Sequence, residues 1–166
     1  MIDYNFGHLK NIPWKEGFKS FNYLKQPIKQ EEIDNWRNQG YYHQSFSGGM
    51  YSSKNPMPDW VEKVSNEIGL KKCGYVFYKM NTLDIMPIHS DHYETYSKVF
   101  DVPFEKVSRA IVFLEKWKSG HYFEIAGNSY CGWKKGDFIL WDGSVPHAAS
   151  NIGLEPRYTL QITGIK

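Results

Sequence analysis

A mainly β architecture, a double-stranded β-helix (jelly roll) with helices flanking its N-terminal side, is the fold class this sequence predicts. Three observations predict it. From residue 73 onward, short β-rich runs recur at nearly even spacing, separated by turn residues. Two helix-patterned stretches precede them. No repeat, low-complexity segment or break in composition marks a second domain. The expected organisation is therefore one domain over 1–166, with 1–72 as helical support and 73–166 as the jelly-roll core.

The first predicted helix covers Gln30 to Gln39, where Ile33 and Trp36 share a face and Gly40 provides the stop. Tyr41 to Ser53 contains Gly48-Gly49 and reads as loop or frayed strand. Pro56-Met57-Pro58-Asp59 starts the second helix, Trp60, Val61, Val64 and Ile68 form its apolar stripe, and Gly69 ends it. The strands follow as Gly74–Met80, then Leu83–His89 with Pro87 marking an edge or bulge, then Arg109–Trp117. Tyr122–Ala126, Gly136–Trp141, Ala148–Asn151 and Tyr158–Thr163 complete the series. Residues 92–107 form a long Tyr- and Phe-rich connection, read either as a substrate lid or as a packed helix burying Val99 and Phe100.

Composition narrows the function classes. At 41% hydrophobic and 17% aromatic the chain has the content of a globular core with a lined pocket. Twenty basic against 18 acidic residues give a net charge of +2, with no basic tract, which argues against nucleic acid and anionic membrane as partners. Two cysteines, Cys73 and Cys131, do not make a disulfide framework and are expected as reduced thiols. No apolar run approaches the roughly twenty residues a bilayer span needs. Met1-Ile2-Asp3-Tyr4-Asn5 lacks the basic and apolar regions of a secretory leader, so a cytoplasmic protein is expected.

The chemistry-bearing residues lie on the predicted strands. His89-Ser90-Asp91 closes an apolar run, and i, i+2 residues of a strand share a face. His147, after the Gly143-Ser144-Val145-Pro146 turn, is the candidate third ligand, since two imidazoles and a carboxylate can hold a divalent transition metal and leave positions open. Arg157 and Thr159 alternate on the following strand and face inward together. An inward guanidinium is costly unless it meets an anion, and its fork fits a carboxylate.

In order and spacing, His89-x-Asp91, His147 and Arg157-x-Thr159 resemble the Fe(II)/2-oxoglutarate-dependent oxygenases, in particular small prolyl-hydroxylase-like members. The likeness covers roughly residues 73–164 and includes the Gly136-Asp137 and Asn151-Ile152-Gly153 turns. It implies that His89, Asp91 and His147 bind Fe(II), and that Arg157 and Thr159 hold the distal carboxylate of 2-oxoglutarate. Tyr78, offset by about one position, resembles a Tyr that bonds the same carboxylate. The implied reaction consumes O2 and hydroxylates a C–H of a small molecule or peptide side chain, with succinate and CO2 as co-products. The substrate and the oligomeric state are not written in the residues.

Blander readings stand beside these. A lone His is ordinarily a backbone-bonded one, and Asp91 can cap a turn. Arg109 is expected to pair with Glu115 or Asp101, His92 to face away from the site, and Trp141 to serve as core or pocket wall. His8 and His43 have no motif context, and His121 sits in a turn. The rival functions are a cupin-like metal enzyme that needs no 2-oxoglutarate and a non-catalytic jelly-roll binding module. Neither requires the Arg157/Thr159 pair.

Overall fold

Alternation along the strands decides what each face of the sheets carries. In Ser108–Phe113, Ala110 and Val112 turn to one side and Ile111 and Phe113 to the other. In Arg157–Ile165, Tyr158, Leu160 and Ile162 take the first side, leaving Arg157 and Thr159 on the second. Two cores result, one on each face.

The computed structural model describes residues 4–166. Its strands are β1 (Tyr4–His8), β2 (Leu24–Lys25), β3 (Gly49–Ser52), β4 (Lys71–Met80), β5 (Ile85–His89) and β6 (Ser108–Phe113). They continue as β7 (His121–Ile125), β8 (Asn128–Tyr130), β9 (Asp137–Asp142), β10 (His147–Asn151) and β11 (Arg157–Ile165). The helices are α1 (Glu16–Lys19), α2 (Gln30–Asn38), α3 (Trp60–Ile68) and α4 (Glu94–Phe100). A seven-stranded sheet runs β1-β9-β6-β11-β4-β3-β2, and a four-stranded sheet runs β5-β10-β7-β8. All their pairings are antiparallel.

The inner core lies between the sheets, where Met80, Ile111, Phe113, Ile139 and Trp141 of the large one meet Met86, Phe123 and Ile125 of the small one. The outer core covers the other face of the large sheet, with Trp14, Phe18, Val61 and Val64 packed on Phe77, Val112, Leu160 and Ile162. α3 supplies Val61 and Val64 through its apolar stripe and ends at Gly69, whose φ of 88° is the left-handed turn a glycine permits. The architecture is the predicted mainly β, two-sheet jelly roll.

Several elements differ from the sequence expectation. Residues 1–72 are more than helical support, since β1, β2 and β3 extend the large sheet. β1 is an exposed edge strand without clean alternation and gave no period-two signal. It is held by its register on β9, including a 2.7 Å contact from His8 Nδ1 to Asp137 Oδ1. β6 stops at Phe113 instead of reaching Trp117, because Glu115 turns out to meet Lys19 and Lys118. In the 92–107 connection, α4 docks through Tyr96 beside Tyr93, Val102 and Val107, while Val99 is 69% exposed. Both cysteines are free thiols, as expected.

The Lys134–Asp137 turn ties three segments together. Gly136 accepts from Leu9 N–H at 2.9 Å and donates to Phe113 C=O at 2.8 Å, at φ +92°. A Cβ there would be driven into the Leu9 carbonyl oxygen. Gly136→Ala is expected to cost roughly 3 kcal/mol, from combined left-handed strain and clash. Gly127→Ala, at φ +77° with nothing within 4 Å of the added atom, should cost only about 1 kcal/mol. Urea midpoints of the two variants check the ordering.

Candidate metal and anion site

Two antiparallel neighbours set the site. His89, at the end of β5, stands directly opposite His147, at the start of β10, and their ring centroids are 4.3 Å apart. The register slips between His147 and Ala149, so an irregularity sits next to the site, where bulges commonly re-aim side chains. β5 is the edge strand of its sheet, which accommodates Pro87. From outside, α2 lays Trp36 against it, with Nε1 donating to the Ile88 carbonyl at 3.1 Å and the indole edge-on to His89.

His89, Asp91 and His147 each offer a ligand atom, and these atoms lie within 4.8 Å of one another. Nδ1 of His89 lies 2.8 Å from the Pro87 carbonyl, and Nδ1 of His147 lies 2.8 Å from that of Val145. A proton on each Nδ1 satisfies those contacts and leaves each Nε2 lone pair toward the cluster, the arrangement metal-binding imidazoles use. The donor set fits a divalent transition metal.

One expectation needs correction here. Asp91 was placed beside His89 by strand periodicity, but β5 ends at His89 and Asp91 lies in the loop beyond it. It is brought back by Arg109, the first inward residue of β6, whose Nε and Nη2 both lie 3.0 Å from Asp91 Oδ2. Arg109 thus pairs with neither Glu115 nor Asp101, and Glu115 is taken by Lys19 and Lys118. Nothing in sequence spacing connects Arg109 with Asp91. Only the adjacency of β6 to the mouth of the small sheet does so.

Electrostatics keeps the cluster in its ligating form. Burial alone would raise the Asp91 carboxyl, but the Arg109 guanidinium and the two imidazoles outweigh it and hold it at about 2. His147 is lowered to about 4, chiefly by burial and then by the neighbouring His89. A buried His with a lowered pKa leaves stability unaffected above its unfolded value near 6.5, and removes it as pH falls from there toward about 4. The metal-free protein should therefore lose about 2 kcal/mol at pH 5 relative to pH 7 through His147. His147→Gln should flatten that part of a urea-midpoint profile.

Arg157, Thr159 and Tyr78 gather on the inner face of the large sheet. Thr159 is register partner to Tyr78 and Arg157 to Met80 across β11 and β4. The Tyr78 hydroxyl accepts the Gly48 N–H at 2.6 Å, and among the described residues its own proton has no acceptor. Arg157 is 4% exposed, and Nη1 donates to the Tyr122 carbonyl at 2.9 Å. Among the described residues its Nε and the Thr159 Oγ1 are buried without partners. Among the described residues no carboxylate neutralises the guanidinium, and burial lowers it to about 10. The rings of Phe123 and Trp133 flank its Cζ at 5.9 and 5.8 Å. The Phe123 ring also lies 6.3 Å from that of His147, so one phenyl group connects the two clusters.

The remaining histidines fall out of the site. His121 is buried with Nε2 2.9 Å from the Glu155 carbonyl and stacks on Trp133, a structural role. His92 is exposed, as expected. Surface hollows lined by Ser65, Cys73 and Tyr75, and by Trp14, Lys19 and Glu115, belong with the outer core, away from the His/Asp cluster. Among the described residues no helix is long and apolar enough to cross a membrane.

No protein-family model and no curated protein sequence matches the chain. Solved structures do. A Pseudomonas putida prolyl-4-hydroxylase superposes with a TM-score of 0.56 at 13% identity, over 82% of this chain and 83% of that one. A predicted oxalate decarboxylase from Thermotoga maritima gives a TM-score of 0.44 at 15% identity, over 71% and 80%. A Cupin_2 domain of an Enterobacter cloacae transcriptional regulator gives 0.44 at 14%, over 70% and 97%. At these identities the likeness is one of fold: the chain is built as a two-sheet double-stranded β-helix.

Proposed function

We propose that this protein is an Fe(II)- and 2-oxoglutarate-dependent oxygenase. The observation that carries the reading is the buried Arg157 guanidinium, without a counter-carboxylate among the described residues and beside an unpartnered Thr159 hydroxyl. A folded protein does not ordinarily keep a cation so buried and unpaired. A ligand carboxylate would take the Arg157 fork, the Thr159 hydroxyl and the Tyr78 proton together. The other end of a 2-oxo dicarboxylate would then reach past Phe123 toward His89, Asp91 and His147.

Those three residues would hold Fe(II), whose chemistry couples O2 to decarboxylation of the 2-oxo acid: 2-oxoglutarate, O2 and R–H give succinate, CO2 and R–OH. The chain itself supplies orientation and dryness. The Pro87 and Val145 carbonyls fix the imidazole rings, Arg109 fixes Asp91, and Phe123, Trp133 and Trp141 wall the interior. The substrate would be a small molecule or a peptide side chain offering an unactivated C–H. A cupin-like enzyme that does without 2-oxoglutarate leaves the unpaired Arg157 unaccounted for. Succinate release from 2-oxoglutarate with Fe(II) tests the reading, since slow uncoupled turnover needs no primary substrate. No release together with no affinity for 2-oxoglutarate would sink it.

A further inference from the structure

We propose that Arg109 is a positioning residue that makes Asp91 a one-oxygen metal ligand. The inference rests on the metal-binding reading of His89, Asp91 and His147 and concerns how that site is held. Asp91 lies past the end of β5, so no strand ladder fixes it. Among the described residues its carboxylate has one hydrogen-bonding partner, Arg109, and both contacts fall on the same atom. Nε and Nη2 lie 3.0 Å from Oδ2, while Oδ1 accepts no hydrogen bond; each oxygen is 3.9 Å from one imidazole, Oδ1 from His89 Nε2 and Oδ2 from His147 Nε2, so it is the Arg109 contacts that distinguish them.

A planar guanidinium delivering two N–H groups to one oxygen fixes both the position and the rotation of the carboxylate. It occupies the lone pairs of Oδ2 and leaves those of Oδ1 to a metal. Arg109 is itself held: it sits on β6 in register with Trp141 of β9 and Thr163 of β11, and the Tyr93 ring lies 5.2 Å from its Cζ. Its side chain is 14% exposed, so the clamp is built into the barrel wall. Without it, Asp91 would swing on a loop and would be free to chelate through both oxygens. That would take a coordination position the co-substrate needs. Outer partners of this kind are worth about 10–100-fold in metal affinity.

Co(II) serves as the probe, because its absorption reports both binding and coordination number without turnover. The wild type, Arg109→Ala, Arg109→Lys, Asp91→Asn and the Arg109→Ala/Asp91→Asn double variant are titrated, and circular dichroism establishes that each is folded. Arg109→Ala should weaken Co(II) binding by about 10–100-fold and shift the absorption of the complex. Arg109→Lys, which keeps the charge but loses the fork, should fall between the two. In the Asp91→Asn background the Arg109→Ala change should cost little more, because the two act through one atom. Unchanged affinity and spectrum in a folded Arg109→Ala, or full additivity in the double variant, overturns the assignment while leaving the metal reading intact. A wild type that does not take up Co(II) overturns both. If Arg109→Ala does not fold, Arg109→Lys decides alone: wild-type affinity and spectrum in it refute a role for the fork.

Discussion

Arg157→Met should severely weaken 2-oxoglutarate binding while leaving the metal-free fold as stable as the wild type or more so. The two halves of this outcome have one cause. The guanidinium is buried without a neutralising carboxylate among the described residues, and burial lowers it to about 10. Its desolvation is therefore a standing cost that an apolar side chain of similar length avoids. Replacing buried charge by a well-packed apolar group is commonly neutral or stabilising by about 1–4 kcal/mol. On the proposed function, the same removal would delete the bidentate partner of the 2-oxoglutarate carboxylate. Truncating one side of a buried, hydrogen-bonded charge pair costs about 2–5 kcal/mol, on the order of 30- to 5000-fold in affinity. Calorimetric titration of 2-oxoglutarate, succinate release and a urea midpoint read the three quantities. A variant that is destabilised and still releases succinate at the wild-type rate would show that Arg157 is a structural cation only. Thr159→Val should have the same direction and a smaller size, since it withdraws one hydroxyl that is buried without a partner.

His147→Ala should remove the metal outright, with a loss exceeding the roughly 10–100-fold that outer partners of a ligand are worth. His147 is the most enclosed member of the cluster, 6% exposed, with its Nδ1 side committed to Val145 and its Nε2 side turned to the shared space. Loss of it leaves His89 and Asp91, a pair spanning a strand end and a loop position that Arg109 steadies. Metal content after dialysis against Fe(II) or Mn(II), together with Co(II) titration, measures the effect. His121→Ala is the matched control. It also removes a buried imidazole, one bonded to the Glu155 carbonyl and stacked on Trp133, and should cost stability without lowering metal affinity. Equal metal loss in both variants would mean that the fold, not a ligand, had been removed.

Much of the architecture was legible because it is local. The α2 and α3 helices announced themselves by apolar stripes with Gly stops, and β6, β9 and β11 by apolar runs between turns. β1, β2 and β8 were not legible. They are two to five residues long, largely exposed, and exist because a neighbour offers a free edge. The same distinction runs through the site. Period two put Arg157 and Thr159 on one inward face, and the chain did so. Period two also put Asp91 beside His89, for a reason that failed, because the strand stops two residues short of it. The two groups still meet, and it is an arginine eighteen residues on that brings them together.

The sequence by itself determined the jelly-roll class, the two flanking helices and the identity of the residues that can do chemistry. Each of these depends on side-chain type and on a period shorter than a single element. Tertiary structure alone decided that His89 faces His147 across a strand pair, that Arg109 spends its charge on Asp91, and that Arg157 is left with no carboxylate partner among the described residues. All three depend on which segments the sheets bring side by side. Which cation meets which carboxylate is set by sheet order and register, and neither is written in any one stretch of residues.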